Sequence, residues 1–215
     1  MNNARTLIKI CGITTLEQAV QIAELGVDAI GIISVKDSPR YVPPNIKNRI
    51  FRTLKKLYPD IKRVSVVKNL SSEIISDDFL NDENVIQLHG DEDLNYCKNV
   101  KRCLPEIELW KAFRIKSRED ILEIQSFYNF IDVVLLDSWN KDTYGGSGVR
   151  INQKFLEDLK FDKQWWLAGG ISIDWAKKII NDIRPNGIDI SSSIEISPGI
   201  KDIEKTKALL KEINT

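Results

Sequence analysis

A parallel (β/α)8 TIM barrel of the α/β class is what the 215-residue sequence predicts, as one domain over residues 1–215, and three observations carry that expectation. Eight short apolar or β-branched runs recur along the chain, and stretches of helical period separate them. The runs are apolar almost continuously, as parallel strands covered on both faces require. A doubly wound open sheet is the alternative. It usually has fewer strands and often a glycine fingerprint after the first, whereas Cys11-Gly12-Ile13-Thr14 supplies no G-x-G-x-x-G and no G-K-[ST] exists for a P-loop.

The first run, Ile8-Lys9-Ile10, ends in Cys11 and Gly12, with Thr14 or Thr15 placed to cap a helix. Leu16, Ala19, Val20 and Ala23 then recur at helical spacing, and Gly26 stops the helix. Val27 to Ile33 is the second strand; the loop Ser34 to Pro44 carries Ser38-Pro39-Arg40-Tyr41, and Pro44 suits the first turn of the basic helix that follows. Lys62 to Val67 is the third strand, with a helix capped by Ser71 or Ser72, and Val85 to Leu88 the fourth, ending in His89-Gly90-Asp91. Ile107 to Phe113 is the fifth strand with a helix over Arg118 to Phe127, and Ile131 to Leu136 the sixth, ending in Asp137. Ser138 to Gly148, with Trp139, Tyr144 and several glycines, exceeds the ~2–6 residues of an ordinary βα loop and reads as a lid. Trp165 to Ala168 closes on Gly169-Gly170, Ile188 to Ile190 closes on Ser191-Ser192-Ser193, and Asp202 to Ile213 is a last amphipathic helix. Trp110, Trp165 and Trp166 read as core and helix-facing packing.

Composition narrows the function classes. Lys plus Arg and Asp plus Glu balance at 31 each, so no net field points to nucleic acid or an acidic membrane surface. Neither an apolar leader in Met1 to Leu7 nor a run of the ~18 apolar residues a membrane span needs is present, which predicts a cytoplasmic location. The three cysteines are odd in number, and Cys97 and Cys103 sit in a charged helical stretch, so they read as free thiols. His89 is the only histidine, so no H-E-x-x-H or histidine cluster exists, which argues against a protein-ligated catalytic zinc.

What remains is a barrel mouth collecting Cys11, Arg40, His89, Asp137 and Asp189 together with two turns of small residues. Loops after strands seven and eight of such barrels commonly offer backbone N–H groups to a phosphate. Gly169-Gly170 lets the backbone approach closely, and Ser191, Ser192 and Ser193 add hydroxyls. His89 suits a hydrogen-bonded structural role as well as a catalytic one, and Asp189 either meets a ribose hydroxyl or caps a turn.

Seven segments carry a family resemblance: K-I-C-G-I-T at Lys9 to Thr14, D-S-P-R-Y at Asp37 to Tyr41, Q-L-H-G-D-E at Gln87 to Glu92, L-L-D at Leu135 to Asp137, Y-G-G-S-G at Tyr144 to Gly148, L-A-G-G at Leu167 to Gly170 and D-I-S-S at Asp189 to Ser192. Each is weak alone, but their order at successive strand ends resembles the phosphoribosylanthranilate isomerases, end to end. The resemblance implies a barrel of the ribulose-phosphate-binding type. It implies an intramolecular oxidoreductase of tryptophan biosynthesis that carries out the Amadori rearrangement of N-(5-phosphoribosyl)anthranilate to 1-(2-carboxyphenylamino)-1-deoxyribulose 5-phosphate. The implied partner is that small phosphosugar-anthranilate substrate alone, with no cofactor, metal, nucleic acid or membrane, in a monomer or homodimer.

By the resemblance Asp137 is the general acid, Cys11 the general base, and Arg40 the guanidinium that takes the anthranilate carboxylate. To work near neutrality the carboxyl must rise from ~3.9 and the thiol fall from ~8.5. Val133 and Leu135 on one strand face supply desolvation for Asp137, and Lys9 with the following helix N-terminus supplies positive potential for Cys11. Departures from the family pattern are Ser193 where glycine is usual, Lys68 where an apolar residue is expected, and Val149-Arg150 at the exit of the predicted lid. Two other functions stay in view: another phosphosugar barrel enzyme, which shares the phosphate turns without the Cys11 and Asp137 pair, and a binding-only relative lacking a catalytic group.

Overall fold

The computed structural model describes residues 5–70, 80–138, 150–151, 153–156, 159 and 161–213. Eight strands run β1 Leu7–Cys11, β2 Ala29–Ile33, β3 Lys62–Val67, β4 Val85–Leu88, β5 Glu108–Ile115, β6 Val133–Ser138, β7 Gln164–Leu167 and β8 Gly187–Ile190. All pair in parallel and in chain order, and β1 joins β8 through Leu7 opposite Gly187 and Lys9 opposite Asp189, which closes the barrel. Outside it lie α1 Leu16–Glu24, α2 Pro44–Leu57, α3 Leu94–Cys103, α4 Glu119–Glu123, α5 Ile173–Asp182 and α6 Ile203–Ile213. Among the described residues no helix is long and apolar enough to cross a membrane.

The predicted barrel is the observed one, with informative differences at the ends of elements. Thr15 rather than Thr14 caps α1, its side chain accepting from the Gln18 N–H at 3.2 Å, while Thr14 donates to the Gly199 carbonyl at 2.7 Å. The helix expected over Arg118 to Phe127 stops as an α-helix at Glu123 and continues as a 3-10 turn over Ile124–Phe127. Asp137 lies inside β6 rather than beyond it, because β6 keeps its pairing with β5 as far as Ser138. An antiparallel hairpin, β9 Glu195–Ser197 and β10 Ile200–Lys201, lies between β8 and α6 where the sequence suggested no element. A 3-10 turn at Gln153–Phe155 is the one helical piece described between β6 and β7. The predicted lid, Ser138 to Gly148, loses Ser138 to the end of β6, and its remainder, like the helix expected from Ser71 or Ser72, falls outside the described residues.

Strand alternation sorts the apolar residues into two cores. Ile8, Ile10, Ile30, Ile32, Ile86, Leu88, Val134, Leu136, Ile188 and Ile190 face outward under the helices. Ala29, Val64, Val66, Val85, Trp110, Ala112, Val133, Leu135 and Trp166 face inward and fill the barrel. Trp110 and Trp166 dominate that interior, their ring centroids 4.6 Å apart at a 44° tilt. Both are fully buried, as expected. Gly187 on the neighbouring strand makes room for them: a Cβ there would lie 2.3 Å from the Trp166 ring.

Adding one methyl at this position forces a bulky indole off its rotamer in a packed interior, which typically costs ~1–3 kcal/mol. Gly187→Ala should therefore lower the urea midpoint by that equivalent at unchanged m-value. A midpoint equal to that of the wild-type chain would show that Trp166 can move aside.

Candidate active site

Residues on the inward parity, one step above the packed interior, emerge at the C-terminal ends of the strands. There Cys11 of β1, His89 just past β4, Asp137 of β6 and Asp189 of β8 line one cavity of about 640 Å³. The two small-residue turns and Arg40 line it too, so every site residue expected from the sequence reaches the same space.

Lys9 sits one inward step beneath Cys11 and is wholly buried, with its Nζ donating to Asp189 Oδ2 at 2.7 Å. Its positive charge also acts on the Cys11 thiol. Asp189 Oδ1 is buried and has no hydrogen-bond partner among the described residues. The sequence expectation that Cys11 has a depressed pKa is overturned. Burial, the largest influence, pushes the thiol up; Lys9 pulls it down, but Asp189 on the other side of Lys9 pushes it up again. The ammonium foreseen as an activator is already half-spent on a carboxylate.

Asp137 is buried on the opposite side of the barrel. Its Oδ1 accepts the N–H of Ser138 at 2.7 Å, and its Oδ2 is 3.0 Å from His89 Nε2. The other imidazole nitrogen, Nδ1, is 2.8 Å from Gln87 Nε2. His89, left open by the sequence, is thus a direct partner of the expected acid. Val133 and Leu135 lie on the same strand face beneath Asp137, as expected, within the dry inner core.

Arg40 is not open in the way the sequence suggested. Its Nε and Nη2 donate to Glu195 at 2.8 and 2.7 Å, and Glu195 also accepts from the buried Lys201 Nζ at 2.7 Å. Burial works against the Glu195 carboxylate, yet Arg40 and Lys201 hold its pKa below the usual range. Lys201 continues to the Ser191 carbonyl at 3.1 Å, and Ser191 Oγ donates to the Cys11 carbonyl at 3.0 Å. The β9–β10 hairpin therefore ties the Arg40 loop to the end of β1. The two bonds to Glu195 use Nε and Nη2, and Arg40 Nη1 makes no hydrogen bond among the described residues.

After β7, Gly169 and Gly170 adopt φ of 86° and 58°, conformations that side chains disfavour, and a Cβ on Gly169 would sit 2.8 Å from Asp137 Oδ1. After β8, Ser192–Ile194 form a 3-10 turn beside it. Ser191 spends its hydroxyl on Cys11, which leaves the hydroxyls of Ser192 and Ser193 as the donors on that turn. Glu195, Lys201 and Gln87 were missed as site residues. Gln87 had a signal, being a polar side chain on the inward parity two residues before His89. Glu195 is a lone acid between Ile194 and Ile196, and Lys201 has no local signal at all.

Residues 8–212 match the family model described as N-(5'phosphoribosyl)anthranilate (PRA) isomerase. The N-(5'-phosphoribosyl)anthranilate isomerase of Synechococcus elongatus is 38% identical over 206 residues, covering 96% of this chain and 95% of that one. The crystal structure of phosphoribosyl anthranilate isomerase from Thermus thermophilus superposes with a TM-score of 0.82 at 27% identity, covering 97% and 98% of the two chains. A phosphoribosyl anthranilate isomerase in complex with reduced 1-(o-carboxyphenylamino)-1-deoxyribulose 5-phosphate superposes at 0.79 with 28% identity and the same coverage.

The environment of Cys11 has a direct chemical readout. Alkylation by iodoacetamide, followed by peptide mass mapping, should give Cys11 a pH midpoint above the ordinary ~8.5 of a cysteine thiol. Asp189→Asn should bring the Cys11 midpoint down, because it removes a negative charge beside the thiolate. A Cys11 midpoint at or below ~8.5 would contradict the dominance of burial.

Proposed function

The chain belongs to the N-(5'-phosphoribosyl)anthranilate isomerase family, and we propose that it carries out the family's reaction at the barrel mouth with Asp137 as general acid and Cys11 as general base. It is an isomerase of tryptophan biosynthesis, rearranging N-(5'-phosphoribosyl)anthranilate to 1-(o-carboxyphenylamino)-1-deoxyribulose 5-phosphate. The observation that carries the assignment of roles is that Cys11 and Asp137 enter one cavity from β1 and β6, with Arg40 and the two small-residue turns around them. Following the loss of anthranilate fluorescence on addition of purified protein tests the activity.

The steps follow from the groups present. The substrate nitrogen pushes its lone pair toward C1, the bond from C1 to the ring oxygen breaks, and Asp137 delivers a proton to that oxygen. Cys11, as the thiolate left once its own proton has passed to solvent, then removes the proton from C2, giving an enolamine that tautomerises to the ketone. Both are proton transfers, and no cofactor is called for. Asp189 Oδ1 accepts a ribose hydroxyl. That bond draws on the carboxylate's charge, so Lys9 serves the thiolate more fully once substrate is in place. Arg40 holds the anthranilate carboxylate through its Nη1 end, while Glu195 fixes the guanidinium plane. The phosphate sits against the turns Gly169-Gly170 and Ser191 to Ser193, meeting backbone N–H groups and the Ser192 and Ser193 hydroxyls.

Cys11→Ala and Asp137→Asn should each lower kcat by a factor of ~10²–10⁴, the usual loss of a general base or acid, with little change in the affinity of the reduced product analogue. Either variant keeping more than about a third of wild-type turnover would place that role elsewhere. Arg40→Ala should act mainly on KM, since a carboxylate remote from the reacting carbons is held in ground and transition states alike. The loss corresponds to ~1.5–3 kcal/mol. A collapse of kcat at unchanged KM would give Arg40 a chemical role instead.

A further inference from the structure

Gln87 is wholly buried in the barrel interior, two residues before His89 on the same strand face, and no step above uses it. We infer that Gln87 is a positioning residue that sets which nitrogen of His89 carries hydrogen, and through His89 sets whether Asp137 holds a proton to give. The inference rests on the reading of Asp137 as the acid.

The geometry is a linear chain. Gln87 Nε2 is 2.8 Å from His89 Nδ1, His89 Nε2 is 3.0 Å from Asp137 Oδ2, and Asp137 Oδ1 accepts the Ser138 N–H at 2.7 Å. A carboxamide presents a donor at one end and an acceptor at the other, while a neutral imidazole must be a donor on one nitrogen and an acceptor on the other. With the amide nitrogen toward the ring, Nδ1 accepts and Nε2 bears the hydrogen. Asp137 then receives two donors, Nε2–H and Ser138 N–H, and is held as a carboxylate. That state cannot protonate a ring oxygen.

The loaded state contains one more proton. His89 then carries hydrogen on Nδ1, and the second proton lies between Nε2 and Asp137 Oδ2. Such a ring needs an acceptor at Nδ1, which Gln87 supplies through its oxygen. In the structure that oxygen, Oε1, is buried with no hydrogen-bond partner among the described residues. Turning the amide about its last torsion therefore gives a stranded acceptor a donor at the moment the pair takes up its proton. Ring opening empties the pair: the proton passes from Oδ2 to the ring oxygen, the electron pair of the broken bond stays on that oxygen, and the ring keeps its hydrogen on Nδ1 against the Gln87 oxygen until the pair takes up its next proton from solvent.

Other charged groups act on the pair without replacing this link. Arg114 neighbours Asp137 in the β5–β6 register and is paired with Asp91 just past His89, while Lys68, Cys11 and Asp189 line the same cavity from β3, β1 and β8. Each contributes a field; Gln87 alone among them bonds the imidazole at Nδ1.

Because His89 is the only histidine, long-range 15N–1H NMR of uniformly labelled full-length protein reads the tautomer without assignment ambiguity. In ligand-free wild type at alkaline pH the spectrum should show Nε2 protonated and Nδ1 bare. Gln87→Glu, an obligate acceptor at Nδ1, should move hydrogen to Nδ1 and raise the pH at which the ring titrates. Gln87→Met, of similar volume with neither end, should release the tautomer preference and lower kcat at least about tenfold with KM within about twofold. It should also shift the limb of the kcat–pH profile that reports the acid. Should the buried charge of Gln87→Glu prevent folding, Gln87→Met carries the test alone. A Gln87→Met enzyme with wild-type kcat, pH profile and imidazole resonances would overturn the inference. If Asp137→Asn is inactive in the same series, only the role of Gln87 fails; if Asp137→Asn is fully active, the acid reading itself fails.

Discussion

Trp166 lies against Trp110 inside the barrel because residue 187 on the adjoining strand has no side chain, and much of the molecule depends on that contact. The two indoles fill the interior of a ring of eight strands that would otherwise enclose space, and they dry the layer above them. Gly187 is also where β8 meets β1 through Leu7, so the same position that admits the indole closes the barrel. Polar groups placed one inward step higher stand on an apolar floor. From that floor comes the strength of their mutual interactions and the cost of leaving any of them unpaired.

The strand ends are then held by buried ion pairs rather than by apolar packing. Lys111 Nζ reaches the Gly90 carbonyl at 2.8 Å and Glu92 at 3.0 Å, and Glu92 in turn accepts from the N–H groups of Gly90 at 2.9 Å and Asn69 at 2.8 Å. This network fixes the turn that presents His89. Lys9 with Asp189, and Arg40 with Glu195 and Lys201, do the same under Cys11 and along the opposite rim. Buried pairs of this kind are weak evidence of stability, since desolvating both partners offsets their attraction. Their value here is geometric, because each supports a loop that bears a site residue.

The same pairs shape the chemistry. A thiol pushed up by burial and balanced between Lys9 and Asp189 rests in its protonated form until something alters the balance. Both carboxyl oxygens of Asp137 are engaged, Oδ2 at the His89 imidazole and Oδ1 at a backbone N–H. Both groups are therefore set by neighbours that a bound sugar or a turning amide can shift.

What the sequence determined by itself was local in origin. Short, almost continuously apolar runs mark the strands, turn and cap residues mark their ends, and the order of short motifs at those ends carries the family, so Cys11, His89, Asp137, Asp189 and the two small-residue turns are legible at strand ends in the residue order alone. Local rules were weaker at element ends, as Asp137 within β6 and the early α stop at Glu123 show. Tertiary structure alone decided the partners. Arg40 meets Glu195 across 155 positions, Lys9 meets Asp189 across 180, and His89 meets Asp137 across 48. The direction of the Cys11 shift reversed for the same reason. Lys9 two residues away was visible in the sequence, but the carboxylate that shares it is distant along the chain, and charge acts through spatial separation and burial, neither of which the order of residues encodes directly.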